Sequence, residues 1–269
     1  MEYNLPKLPE RPENSNKGTF GKVLNIAGSE SMPGAAYLSS VSALKVGAGY
    51  VKLKSYEKVL DSISFSAPEI VQEIIDLPFE NGYSAISIGC GCGVNEQTKN
   101  ILLELLDKRN GTPTVIDADG LNVLAESYQE LDKNVIITPH PKEALRLLKC
   151  SLEEVLEDIE GAAHSLAKKY KCVAVLKTHN TIVTDGSAVY KNMTGCSALA
   201  KAGSGDVLTG IITGLLAQGM KTFDAAVLGV YLHGIAGDLA AKDLSEYGVL
   251  ASDLLKYIPF AIKNYLDRF

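Results

Sequence analysis

The 269-residue chain predicts an α/β fold, a three-layer α/β/α sandwich around a mostly parallel central sheet. Three observations predict it. Apolar runs of three to five residues, at 23–27, 85–88, 135–137 and 173–176, recur without polar alternation, as strands covered on both faces do. Most of these runs pass into a helical period, the strand–helix–strand order that builds a parallel sheet. The Gly-, Asp- and Pro-rich loops all follow strands, at the edge where open α/β sheets bind ligands.

In chain order, residues 1–17 carry three prolines and little period, which predicts an arm on the surface. Residues 23–27 form a strand that ends in Gly28-Ser29. Pro33 suits the first position of a helix that runs to Val46. The small residues of its first turn, Gly34-Ala35-Ala36, admit either a close ligand or tight packing on the sheet. Gly47-Ala48-Gly49 breaks the helix and residues 50–53 restart a strand. The strand at 85–88 meets Gly89-Cys90-Gly91-Cys92-Gly93 and a helix from Asn95 to about Lys108. The strand at 114–116 meets Asp117-Ala118-Asp119-Gly120 and a short helix, and that at 135–137 meets Thr138-Pro139-His140-Pro141 and a helix holding Glu143 to Leu148. The strand at 173–176 runs into Lys177-Thr178-His179-Asn180, with 181–184 and 188–190 as a returning hairpin. An apolar helix over 207–217 stops at Gly219. An alanine-rich helix over 223–239 includes His233, and a last helix over 252–266 is expected to be interrupted at Pro259. With no repeat or linker, the chain reads as one domain over 1–269.

Composition narrows the function. A net charge of −6 without a basic run argues against a nucleic-acid or anionic-membrane surface. No segment has about 18 uninterrupted apolar residues, so no membrane span is expected. Five cysteines in apolar or Gly-rich contexts, with no signal peptide, predict reduced thiols and a cytoplasmic setting. Cys90-Gly-Cys92 lacks the second pair that would complete a metal site. Small molecules are the expected partners.

The stretch from Asn192 to Gly219 organises the chain. Glycines at 203 and 205 leave no Cβ before the first helical N–H groups, which can then face an anion with the helix dipole behind them. Asp206 lies in that positive field, where a carboxylate is expected to stay ionised and could accept a proton from a hydroxyl about to be phosphorylated. An ordinary helix-capping Asp fits the same four residues. Gly89 to Gly93 has the spacing G-x-G-x-G, misses the dinucleotide fingerprint, and suits a glycine floor under a flat or phosphorylated ligand. A tight strand-to-helix turn needs the same glycines.

These segments carry a resemblance. Gly28-Ser29 with Met32-Pro33-Gly34-Ala35-Ala36, Asp117-Ala118-Asp119, Thr138-Pro139-His140-Pro141-x-Glu143, Leu176-Lys177, and Asn192-x-Thr194-Gly195 through Gly203-Ser204-Gly205-Asp206 occur in the order of the ADP/ATP-dependent NAD(P)H-hydrate dehydratases. The chain resembles that family, of the ribokinase-like superfamily, along nearly its whole length. The resemblance implies repair of (S)-NADHX and (S)-NADPHX: a phosphoryl group passes from ADP or ATP, with Mg2+, to the hydrate hydroxyl, and phosphate then leaves. It implies catalysis by Asp206 with Gly203, Ser204 and Gly205. It implies hydrate contacts at Ala35, Gly89, Gly91, His140 and Asp206. Nucleotide contacts are implied at Lys177, Thr178, His179, Asn180, Thr181, Asn192, Thr194, Gly195 and Gly205. Glu143 would organise the metal indirectly.

Relatives have glycine where Thr178 stands, and Cys196-Ser197 and Lys201-Ala202 replace their Asn and Gly-rich residues. A homotetramer and a separate epimerase partner are expected, because bifunctional relatives carry an epimerase domain for which this chain has no room. His164, Tyr231 and His233 receive no role. The alternatives are a superfamily kinase acting on a hydroxymethylpyrimidine or thiazole alcohol, and a silent nucleotide-binding module.

Overall fold

The computed structural model describes residues 5–76 and 81–268. Its elements are β1 (Lys22–Ile26), α1 (Pro33–Lys45), β2 (Tyr50–Ser55), α2 (Glu57–Ile63), β3 (Val71–Ile74), β4 (Ala85–Ile88), α3 (Glu96–Lys108), β5 (Thr114–Ile116), α4 (Asp119–Glu126), β6 (Val135–Ile137), α5 (Pro141–Leu148), α6 (Leu152–Glu157), α7 (Ile159–Tyr170), β7 (Val173–Leu176), β8 (Ile182–Thr184), β9 (Val189–Lys191), α8 (Ser204–Ala217), α9 (Thr222–Gly248) and α10 (Ala251–Leu266). Among the described residues the strands form one sheet in the order β3-β2-β1-β4-β5-β6-β7-β8-β9. Pairing is parallel from β3 to β7 and antiparallel at β8 and β9.

The apolar strands face two cores. Val23, Val115, Ile136, Val173 and Val175 point to the layer of α1, α8, α9 and α10. Their chain neighbours Leu24, Ile116, Ile137, Ala174 and Leu176 point to the layer of α3 to α7. That is why the runs show no polar alternation.

Residues 55–76 and 149–172, for which the sequence reading proposed nothing, hold α2, β3, α6 and α7. Pro259 lies inside α10, so the expected interruption there is corrected: the helix is assigned continuously across it. The arm is fastened where it is described, with Tyr265 donating to the Pro6 carbonyl at 2.7 Å and the Arg11 guanidinium 3.7 Å from the centre of the Phe20 ring. By length and hydropathy α9 could cross a membrane, yet 72% of its apolar window is buried, and it packs on α8 and α10.

The small residues of α1 let α8 approach. A Cβ on Gly210 would lie 2.0 Å from Ser42 Oγ and 2.1 Å from the Ser39 carbonyl oxygen, and one on Gly214 would lie 2.7 Å from the Ala43 carbonyl oxygen. Asn25 of β1 ties α1 to the sheet by donating to Ser39 and Ser40, both at 2.8 Å, while accepting from Ser87 at 2.9 Å. Tight packing thus accounts for the small residues from Ala36 to Ala43. Gly210→Ala is expected to cost about 1–3 kcal/mol by overpacking this contact, read as a lower urea midpoint with an unchanged slope.

Candidate active site at the N-terminus of α8

Helix α8 begins at Ser204, three residues before the apolar run, so Gly203-Ser204-Gly205-Asp206 is its N-cap and first turn. Gly203 has φ +90°, and a Cβ there would lie 2.6 Å from Leu38 Cδ1 and 2.9 Å from Ala251 Cβ. Only glycine fits. The Ser204 amide donates to the Lys201 carbonyl at 3.2 Å, so it does not join the expected row of free donors. The Gly205 and Asp206 amides have no acceptor among the described residues and keep the anion-binding character of a helix start. The Ser204 hydroxyl lies 3.1 Å from His233 Nε2. Burial lowers the pKa of His233 to about 4, so its imidazole is neutral at pH 7.

Beneath this turn lies a charged cluster. Asp117, 1% exposed, accepts from Lys177 Nζ at 2.7 Å, Thr209 Oγ1 at 2.6 Å and the Ala118 amide at 2.8 Å. Ala118 takes φ +49°, ψ −117°, a strained conformation for alanine, as the chain enters α4. Burial opposes the charge on Lys177, but the Asp117 and Glu143 carboxylates outweigh it and raise its pKa. A Cβ on Gly205 would lie 3.4 Å from Lys177 Nζ, which places the ammonium beside the free amides.

The Asp206 carboxyl does not keep the ordinary carboxylate range. Burial and the Asp117 charge raise its pKa to about 6, and the Cys90 thiol and Lys177 only partly offset them. A carboxylate poised there is ionised at pH 7 and much more basic than a free one.

His140 caps α5, its Nδ1 accepting from the Lys142 amide at 3.1 Å and the Glu143 amide at 3.3 Å, while its own amide donates to Glu143 Oε2 at 2.8 Å. Its Nε2 lies 3.5 Å from Glu143 Oε1, and the residue lines the cavity beside Gly205. Burial and Lys177 lower its pKa. Burial raises that of Glu143 to about 7 against the pull of Lys177. His140→Ala is expected to lose roughly 1 kcal/mol of stability as an uncapped helix. His140→Asn, which caps equally well, should retain it in the same urea titration.

A cavity of about 680 Å³ opens beside Gly205. Of the residues predicted to hold nucleotide, Lys177, Thr178, His179, Thr181, Asn192, Thr194, Gly195 and Gly205 line it, while Asn180 does not. Buried Asn192 is the hinge of its outer strap: its amide group donates to the Thr194 carbonyl at 3.0 Å and its oxygen accepts from Thr194 Oγ1 at 3.0 Å. The Gly195 amide donates to Asp238 at 3.0 Å. Thr178 turns its hydroxyl onto the Asn180 carbonyl at 3.0 Å and closes its own loop.

Ala35, Gly89 and Gly91 do not line that cavity. Ala35 and Gly91 touch each other, since a Cβ on Gly91 would lie 2.8 Å from Ala35 Cβ. The missing Cβ of Gly89 points instead at the Asp117 carbonyl oxygen, 2.0 Å away, where β4 and β5 turn together. Asp206 lies between the two groups, next to Cys90 of the glycine loop and Lys177 of the cavity wall. His233 and Asp238, a full helix away in sequence, and Asp117 as an anchor were missed by sequence reasoning. Only the Asp117-Ala118-Asp119 segment carried a signal.

The NAD(P)H-hydrate dehydratase family profile matches residues 23–260. A bifunctional NAD(P)H-hydrate repair enzyme of Moorella thermoacetica is 37% identical over 96% of this chain and 52% of its own length, so the chain spans about half the length of such curated relatives. An ADP-dependent (S)-NAD(P)H-hydrate dehydratase of Neisseria meningitidis is 36% identical over 91% of this chain and 86% of its own. The Bacillus subtilis ADP/ATP-dependent NAD(P)H-hydrate dehydratase, co-crystallised with ATP and Mg2+, superposes with a TM-score of 0.89 at 33% identity over 96% of this chain and 94% of that one. Sequence, fold and the glycine-Asp turn at α8 agree, and the chain belongs to the NAD(P)H-hydrate dehydratase family.

Proposed function

We propose that the chain returns (S)-NADHX and (S)-NADPHX to NADH and NADPH with ADP or ATP as phosphoryl donor. The observation that carries this reading is Asp206, with its raised pKa, in the first turn of α8 beside two free amides and the Lys177 ammonium. Asp206 takes the proton of the hydrate hydroxyl as its oxygen attacks the terminal phosphorus of the nucleotide. The bond from that phosphorus to the leaving nucleotide oxygen breaks. The Gly205 and Asp206 amides and Lys177 hold the charge that develops on the moving phosphoryl oxygens. Phosphate then departs with the electrons of its C–O bond, the neighbouring carbon gives up a proton to water, and the electrons of that C–H bond restore the ring double bond.

Magnesium, when bound, would neutralise the nucleotide phosphates. Glu143 would organise it indirectly, through water, since its side chain is buried and one of its oxygens accepts from the His140 amide. Among the described residues no three His, Cys, Asp or Glu side chains cluster as a metal cage, a donor set that suits an ion held mainly by phosphate and water oxygens.

The proposal extends to the whole chain acting as one domain, as a cytoplasmic homotetramer served by a separate epimerase; sedimentation velocity tests the tetramer. Incubation with hydrated NADH and ADP or ATP tests the reaction. Recovery of reduced-nicotinamide absorbance with release of inorganic phosphate is expected, whereas a persistent phosphomonoester would mean a kinase.

A further inference from the structure

Between α4 and α5 lies a second groove, of about 620 Å³, which the proposed chemistry leaves unused. Val94, Asn122, Glu126, Leu145, Arg146 and Lys149 are among its lining residues. It shares the glycine loop with the active site: Val94 follows Gly93, whose amide donates to Asp119 at 2.8 Å, and the Cys90 thiol of the same loop hydrogen-bonds Asp206. Arg146 also acts electrostatically on His140 and Glu143.

Arg146 is exposed but aimed. One arm of its guanidinium donates to Asn122 Oδ1 at 2.7 Å, and no carboxylate pairs with it among the described residues, although Glu126 lines the same groove. Lys142, one turn earlier, and Lys149, at the C-cap, add positive charge along α5. A planar fork held by one donor and unpaired at the others is the geometry that recognises phosphate oxygens.

We propose that this groove is a phosphate subsite for the dinucleotide substrate, with Arg146, positioned by Asn122, as the group that pairs with the phosphate. The inference rests on the repair reading of the adjacent site. Two parts of the substrate share this chemistry, the diphosphate bridge present in both hydrates and the 2′-phosphate of hydrated NADPH alone.

Hydrated NADH and hydrated NADPH are each titrated against wild type, Arg146→Ala and Arg146→Lys. Turnover is followed with ADP or ATP, and hydrate binding is measured by calorimetry without nucleotide. Arg146→Ala is expected to raise the KM and Kd of the hydrate about tenfold. The kcat and the KM for ADP or ATP should not change, and the loss should shrink at high salt. Arg146→Lys should recover part of it, since charge remains while the fork is lost. A loss shared by both hydrates identifies the diphosphate, and one confined to hydrated NADPH identifies the 2′-phosphate; either supports the subsite. An unchanged Kd for both hydrates overturns it, as does a loss of nucleotide affinity equal to the loss of hydrate affinity. A wild type that binds hydrate through Arg146 without turning it over refutes the repair reaction and leaves the subsite standing.

Discussion

Asp206→Asn is expected to lower kcat by about 10²–10⁴-fold, the range for removal of a positioned general base. Nucleotide affinity should survive, because the two free amides of α8 belong to the backbone and Asn keeps the side-chain volume. The wild-type pH profile should carry the same signature. With its pKa raised to about 6, Asp206 is protonated below that pH, so kcat/KM falls as the solution becomes more acidic through pH 6. That limb should vanish in the residual activity of the variant.

Stability should move the opposite way. The pKa of Asp206 is higher folded than the free value of 3.8, so the native state holds the proton more tightly and stability falls as pH rises from 3.8 to about 6. Asp206→Asn should therefore raise Tm at pH 7, and the advantage should disappear below about pH 4, where both states are protonated. Wild-type turnover in the pure variant would remove Asp206 from the mechanism.

Lys177→Met should produce the largest stability loss among the changes considered, roughly 3–5 kcal/mol, the cost of stripping a buried charge of its partner. Asp117 is 1% exposed, and without the ammonium at 2.7 Å it keeps only Thr209 and the Ala118 amide. Urea denaturation at pH 7 measures the effect. Joining Asp117→Asn to Lys177→Met removes the orphaned charge, so the double variant should regain much of the stability while the KM for nucleotide stays high. A single variant as stable as wild type would show that the pair does not hold the floor of the site.

Those two experiments address residues of different visibility in the sequence. Asp206 stands out because glycines on either side of a serine, followed by Asp and an apolar helix, form a motif whose chemistry is local: a Cβ-free turn and a row of amides need no distant partner. Lys177 stands at a strand end and could be proposed for nucleotide contact, but its ion pair with Asp117 spans 60 residues. The Ser204–His233 contact spans 29, across two helices. No local period announces either.

Helix α6 was within reach, since Ser151-x-x-Glu154 is a capping box and both of its hydrogen bonds form. The short edge strand β3, half-exposed and four residues long, left little apolar pattern to read.

By itself the sequence determined the buried strands with the helices that follow most of them, the parallel core of the sheet and the turn that opens α8, because these follow from apolar period and from backbone freedom at glycine. Only the tertiary structure decided the charge state around that turn. It lifts the Asp206 pKa to about 6 by burying the carboxylate, with the Asp117 charge adding to the effect, it fixes His233 neutral, and it spends the Ser204 amide on Lys201. It also separated the glycines, directing Gly210 to α1 and Gly89 to the β5 turn while leaving Gly205 beside Lys177. The physical reason is common to all of these: desolvation and Coulomb forces depend on distances through space, and the chain order does not contain those distances until the sheet has brought its strand ends together.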